Sequence, residues 1–407
     1  MRNNRWIPIS KLILVIGFTA LVGFILEIHA ADIRKTAGAR DTVAYWSAAR
    51  LLVEGHNPYD NVSVLDLERR WAGYLDDRPL VLRTPPWSLF MIVPLGFLTP
   101  FTAWLLWMAC SLACLVAGMK VCGAVFASEE ATPNNLLSLV GYTFAPVAAC
   151  LTFGQMGLPL MLGLVLFLYW EKRRPFLAGS ALVLPFAKPH LLLLFWLALL
   201  CWVTLRRQGR LLFGFGATLG TAIAIAIALD RHILGHYLAM VHSASIKKEF
   251  IPALSGVIRL LFFHDLFWVQ WVPLAMGLIW WAWFFVPQLS TWNWSVQGPA
   301  LLVISMLVAP YSWLADESVL LPAILQATVF LYQVRSQLKT HNKVTILGLA
   351  LLNVLLLLLL KAKVPLASGI YFWSSLVWTF WYFHAYGLHR RYAQIPVLEA
   401  DDMKLAS

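Results

Sequence analysis

Residues 211–229 read LLFGFGATLGTAIAIAIAL, an uncharged run bounded by Arg210 and Asp230. The hydrocarbon core of a bilayer takes about 20 apolar residues of helix, so this run has the length and character of a membrane crossing. Working outward, the same signature recurs over 10–29, 101–122, 135–152, 156–170, 176–187, 189–204, 266–287, 297–314, 317–335, 344–360 and 367–386. Together these runs predict an all-α, polytopic transmembrane helical protein with about 12 crossings. Several runs are shorter than a full crossing. Backbone polar groups tolerate no lipid-exposed break, so the short runs are expected to be broken or tilted helices whose gaps face protein or water. The apolar stretch 86–98 is shorter still and is expected at the membrane interface. With no repeat of 20–50 residues and no soluble insertion, the chain reads as one integral membrane domain, 1–407.

Composition agrees. The chain has 407 residues, 60% hydrophobic and 13% charged, with a mean hydropathy of +0.72. An ordinary soluble domain is roughly 45–50% apolar and about 25% charged. A soluble enzyme of this length could not bury so much apolar surface, and a disordered chain would not carry it. The formal charge of +11 would suggest nucleic acid on a soluble protein. Here it reads as cytoplasmic loops facing anionic membrane lipids, with no nucleic-acid partner. The five cysteines, Cys110, Cys114, Cys122, Cys150 and Cys201, lie in apolar stretches without metal-ligand spacing and read as small packing residues.

Loop charges orient the threading. Arg2, Arg5 and Lys11 precede an apolar run from Leu12 to Leu26, and Ile28-His29-Ala30 is a poor cleavage site. An uncleaved first span with a cytoplasmic amino terminus follows. Twelve crossings then place Glu171–Arg174, Leu205–Arg210, the 335–343 segment with Arg335, Lys339 and Lys343, and Arg390-Arg391 inside. The same count places 30–85, 153–156, the neighbourhood of 188, 230–252, 315–317 and 361–366 outside. The expected location is the inner (plasma) membrane, multi-pass. The first outside loop, about 30–85, is rich in arginine, but long loops obey the charge rule weakly.

The outward-facing segments hold the chemically suggestive residues. In the first loop, Val43, Trp46, Ala49 and Leu52–Val53 share one helical face. Gly55 is a stop and Asn57-Pro58 a turn, so a short amphipathic helix on the membrane surface is expected. Asp41 stands at its start, where the helix dipole and free amides favour a carboxylate, as a cap or as a catalytic group. Arg83-Thr84-Pro85-Pro86-Trp87 closes the loop, with Arg83 either snorkelling or binding an anion. Phe153-Gly154-Gln155-Met156-Gly157 separates two short apolar runs, and a Gln there lines a cavity or caps a broken helix. Pro185-Phe186-Ala187-Lys188-Pro189-His190 interrupts another run. A lysine inside a span costs about 2.5–3.5 kcal/mol, so Lys188 either snorkels or meets an anionic partner. Val308-Ala309-Pro310-Tyr311-Ser312-Trp313-Leu314-Ala315-Asp316-Glu317 puts two acids between spans, as caps of the next helix or as site residues. His232 and His236 have the spacing of metal ligands but no recognisable zinc motif around them.

In this order, Asp41…Tyr45…Gly55-His56-Asn57-Pro58-Tyr59, Thr84-Pro85-Pro86 through Pro94-Leu95, Gly154-Gln155, Ala178-Gly179 with Lys188-Pro189, and Ala309-Pro310-Tyr311-Ser312-Trp313…Asp316 resemble glycosyltransferase family 87. This is a group of polytopic GT-C-type enzymes that includes polyprenyl-phosphomannose-dependent mannosyltransferases. The resemblance implies a GT-C-like fold and a hexose donor on polyprenyl phosphate, with mannose the sugar. It also implies a lipid-linked or glycan acceptor and an extracytoplasmic active site. An inverting transfer needs a general base for the acceptor hydroxyl, a role that falls to Asp41. The phosphate leaving group needs cationic stabilisation, which Lys188 supplies with Arg83 or His190. Gln155 is expected to hydrogen-bond the sugar, and Asp316 to orient the acceptor or a cation. Tyr45 and Trp313 complete the expected substrate-binding set, with Trp313 against a sugar ring or anchoring at the interface. No cofactor and no metal ligand set is expected. The rival reading is a lipid-linked oligosaccharide flippase or another polytopic transporter, for which broken helices and an intramembrane lysine would line a path.

Overall fold

The computed structural model describes residues 17, 21, 40–72, 79–80, 82–126, 132–243, 251–263 and 266–392. The predicted first crossing over 10–29 lies outside this set apart from two isolated positions. Every element among the described residues is helical. In chain order they are α1 (Arg40–Val53), α2 (Asn61–Ala72), the 3-10 segments Pro86–Met91 and Val93–Phe97, α3 (Pro100–Phe126), α4 (Asn134–Thr143), α5 (Ala145–Phe153), α6 (Gly157–Trp170) and α7 (Pro175–Ala181). Then come α8 (Leu193–Leu205), α9 (Gly209–Leu229), α10 (Ile233–Ser243), α11 (Leu254–Phe262), α12 (Val272–Phe285), α13 (Trp294–Leu307), α14 (Leu321–Gln333), α15 (Thr340–Lys361) and α16 (Ser374–Tyr392).

Among the described residues four helices are long and apolar enough to cross a membrane: α3, α9, the Phe267–Gln288 helix around α12, and α15. Two bent pairs raise the number to six: α4 with α5, bent by 49°, and 175–187 with 189–205, bent by 112°. By length and composition these apolar helices suit a membrane protein. The twelve crossings expected from hydropathy are not recovered. Hydropathy reads apolar length and is blind to bends, so 176–187 and 189–204, counted as two crossings, fold as one sharply bent pair. The runs 156–170 and 297–314 become α6 and α13, apolar helices shorter than a crossing.

Each break has a local cause. Between α4 and α5 the chain is extended at Phe144, because Pro146 has no N–H to continue the helical ladder. The two groups this frees are taken up by one side chain. Asn353, in the leucine-rich α15, accepts from the Ala145 amide at 2.8 Å and donates to the Thr143 carbonyl at 2.7 Å. Between 185 and 192 the helix tightens into 3-10 turns at Pro185 and Pro189.

Small residues let the pieces touch. A Cβ at Gly179 would overlap the Leu211 carbonyl, and one at Gly214 the Phe176 carbonyl, so α7 and α9 meet backbone to backbone. Ser180 Oγ lies 3.3 Å from the Gly214 carbonyl across this contact. Helices α5 and α6 are apolar on nearly every side and, with the largely buried α14, fill the interior.

The first-loop helix departs from expectation. Residues Thr42 to Ala49 of α1 are all buried, polar Thr42 and Ser47 included, so α1 is enclosed rather than resting on a membrane surface with one face free. The stretch 86–98, expected at the interface, forms two 3-10 segments, the second packed on α1. Trp46 Nε1 donates to the Leu98 carbonyl at 3.0 Å, Arg50 to the Gly96 carbonyl at 3.2 Å, and Gly96 leaves no room for a Cβ against Ala49.

Candidate functional site

Helix α5 ends at Gly154, whose φ of 68° closes the helix in the left-handed conformation. The Gln155 amide returns to the Cys150 carbonyl at 2.9 Å, and Trp107 Nε1 holds the Gly154 carbonyl at 2.7 Å. Gly157 then opens α6 where a Cβ would overlap Ser318 Oγ. The turn is therefore pinned on one side by α3 and on the other by the 3-10 turn Asp316–Leu320. It presents Gln155, whose Oε1 accepts from Tyr45 OH at 3.0 Å and from Lys188 Nζ at 2.8 Å.

Lys188 occupies the bend between Pro185 and Pro189. Its Nζ lies 2.6 Å from Asp316 Oδ1, with side chains only 12% and 2% exposed. The anionic partner expected for a lysine in an apolar run is thus Asp316. The other carboxylate oxygen, Oδ2, accepts from the Trp313 amide at 3.1 Å and fixes the rotamer. Neither Asp316 nor Glu317 caps the following helix, contrary to one of the two sequence readings. The N-cap of α14 is Leu320, with no side-chain cap.

Asp41 lies in the first turn of α1, four residues before Tyr45 and so on the same side of the helix. Burial holds the Tyr45 hydroxyl well above the usual tyrosine range, and the charges of Asp41 and then Asp316 push the same way. Asp41 therefore acts electrostatically on the hydroxyl that reaches Gln155.

A second group flanks the first. His190 stacks on Tyr311 with ring centroids 4.0 Å apart, and its Nδ1 lies 3.2 Å from the Tyr311 hydroxyl. Both rings are largely withdrawn from water, with Lys188 and Asp316 the charged neighbours of His190 and Arg83 among those of Tyr311. Tyr59 OH donates to the Thr84 carbonyl at 3.0 Å and packs against Tyr237 of α10, 5.6 Å between centroids. Trp313 is half-buried beside Asp316. The structure thus brings Tyr45, Gln155, Lys188 and Asp316 into one hydrogen-bonded chain, with Asp41, Arg83, His190 and Trp313 around it.

Two features escaped sequence reasoning. Tyr237 sits in a loop helix whose histidines drew attention instead, and no spacing signal marks it. The partners of Glu317 lie on α16, far along the chain. His236 Nδ1 pairs with Asp230 at 2.6 Å and the His232 amide donates to the same carboxylate, so Asp230 organises the start of α10. Among the described residues no three of His, Cys, Asp and Glu gather as a cation ligand set.

Comparison with known proteins gives one match. The family model for glycosyltransferase family 87 matches residues 84–332. No curated protein and no solved structure matches the chain.

Proposed function

The chain belongs to glycosyltransferase family 87, and from that premise we propose that it transfers a hexose, mannose in this reading, from a polyprenyl-phosphate donor to a lipid-linked or glycan acceptor. The reaction runs on the outer face of the membrane, with inversion and without a metal. The acceptor hydroxyl attacks the anomeric carbon while Asp41 takes its proton. The new C–O bond forms as the bond from that carbon to the phosphate oxygen breaks, and the phosphate leaves with the electron pair.

The observation that carries this reading is the chain Tyr45–Gln155–Lys188–Asp316, which joins four segments far apart in sequence. Lys188 uses two of its three N–H donors on Gln155 and Asp316 and keeps a third for a phosphate oxygen. Gln155 spends its carbonyl on Tyr45 and Lys188, which leaves its amide N–H groups for a sugar hydroxyl. Asp316 holds Lys188 in place, and in this reading Arg83 and His190, both neighbours of Tyr311, assist Lys188 with the phosphate. The polar groups gather at one cluster rather than in file, which favours transfer over transport.

The test offers purified protein a panel of polyprenyl-phosphate sugars with candidate acceptors and measures release of free polyprenyl phosphate. Release coupled to a glycosylated product is the expected result. Movement of a lipid-linked sugar between leaflets without bond cleavage would replace this reading with the flippase.

A further inference from the structure

The acid beside Asp316 has no part in the transfer outlined above. Glu317 is 3% exposed. Its Oε1 lies 2.7 Å from Ser374 Oγ, whose one O–H it shares with the Tyr371 carbonyl at 2.9 Å, and its Oε2 accepts from Trp378 Nε1 at 2.8 Å. Those donors stand one turn apart on α16 and present a matched pair to the two oxygens. Among the described residues no ion pair involves Glu317. A buried carboxyl group without a cationic partner is a poor source of stability compared with an apolar side chain of the same shape. It does not cap α14 either. Its geometry, however, is specific. Asp316 and Glu317 are consecutive on one 3-10 turn and their carboxyl groups diverge, one to Lys188 and one to α16. The far end is rigid, because Trp378 is fully buried and meets the ring of Phe144 at 4.8 Å, at the break between α4 and α5.

We infer that Glu317 is a positioning residue. Clamped by Ser374 and Trp378, it fixes the turn that keeps Asp316 Oδ1 on Lys188, and so keeps Lys188 on Gln155. Helix α16 lies beyond the residues that match the family model, and the clamp brings it into the working of the site. The effect on turnover rests on the proposed transfer, whereas the clamp itself can be tested without turnover.

The full chain in detergent, as Glu317→Gln, Trp378→Phe and Ser374→Ala, is exposed to trace acetic anhydride. Acetylation of Lys188 is then read by mass spectrometry against Lys172, whose side chain is 64% exposed. Loss of the clamp should raise the Lys188-to-Lys172 ratio about fivefold in Glu317→Gln and Trp378→Phe. The milder Ser374→Ala, which keeps one donor, should fall between these and the wild type. In the same preparations sugar transfer per folded molecule should drop about tenfold or more. A ratio equal to wild type in the folded variants overturns the clamp, and so does an equal rise in Asn353→Leu, a control that loosens the fold at the break between α4 and α5 without touching Glu317. A wild-type protein that releases no polyprenyl phosphate from any donor overturns the transfer reading and leaves the labelling result to stand or fall on its own.

Discussion

In the proposed transfer Asp41 and Lys188 have separable roles, because the first would serve the acceptor and the second the donor. Asp41→Ala is expected to give an inserted, folded protein whose sugar transfer falls at least about 100-fold, the scale of a lost general base. Normal transfer by that variant would refute the assignment. Lys188→Met is close in shape and uncharged, but alone it strands Asp316, and breaking a buried pair costs about 3–5 kcal/mol. The double variant Lys188→Met/Asp316→Asn removes both charges. It should weaken the apparent affinity for the lipid-linked sugar about tenfold or more while restoring most of the melting temperature. Unchanged affinity would remove Lys188 from the phosphate site. At this scale the sequence makes single residues conspicuous and is silent about which of them meet. A lysine between prolines in an apolar run is conspicuous alone, but its partner stands 128 positions away.

Among the elements, breaks and ends carry the information. Asn353→Leu would leave the Ala145 amide and the Thr143 carbonyl unpartnered in an apolar setting, at about 1–3 kcal/mol for each group. Thermal unfolding in detergent should show a clear loss of stability, and an unchanged midpoint would mean that water or backbone adjustment serves the break instead. At the start of α2, Asp60 accepts from the Ser63 hydroxyl at 2.6 Å and the Ser63 amide at 2.9 Å. Those bonds, the hydroxyl first, hold its carboxyl below the usual aspartate range. A depressed folded value means that the cap stabilises above the unfolded value and loses its effect as pH falls through the folded one. Asp60→Ala should therefore cost about 1 kcal/mol near neutrality, and the deficit should vanish in acid. A pH-independent deficit would point to packing instead of the cap. Element existence was legible from apolar length, whereas the count of crossings was not. Pro146, Pro185 and Pro189 redirect helices, and only the folded chain shows whether a proline ends a span or bends it.

For the molecule as a whole, the proposal fixes a sidedness. In a cysteine-free background, His56→Cys should react with an impermeant maleimide in intact cells, and Lys339→Cys only after permeabilisation. The opposite pattern would put the site in the cytoplasm. The membrane character followed from composition alone, but the enclosure of α1 did not. Its apolar face was visible as spacing, whereas the burial of Thr42 and Ser47 was not, and the stretch that packs on Trp46 and Ala49 is one that sequence reading assigned to the interface.

The distance between Lys188 and Asp316 also bears on how the protein is made. At about 5–20 residues per second, a ribosome adds the counter-charge many seconds after the lysine has left the exit tunnel. The translocon must therefore accept the 175–205 segment while its cation is still unneutralised, carried by the leucines around it. Conditions that slow elongation between the two codons should lengthen that exposed interval and enrich early, misinserted products.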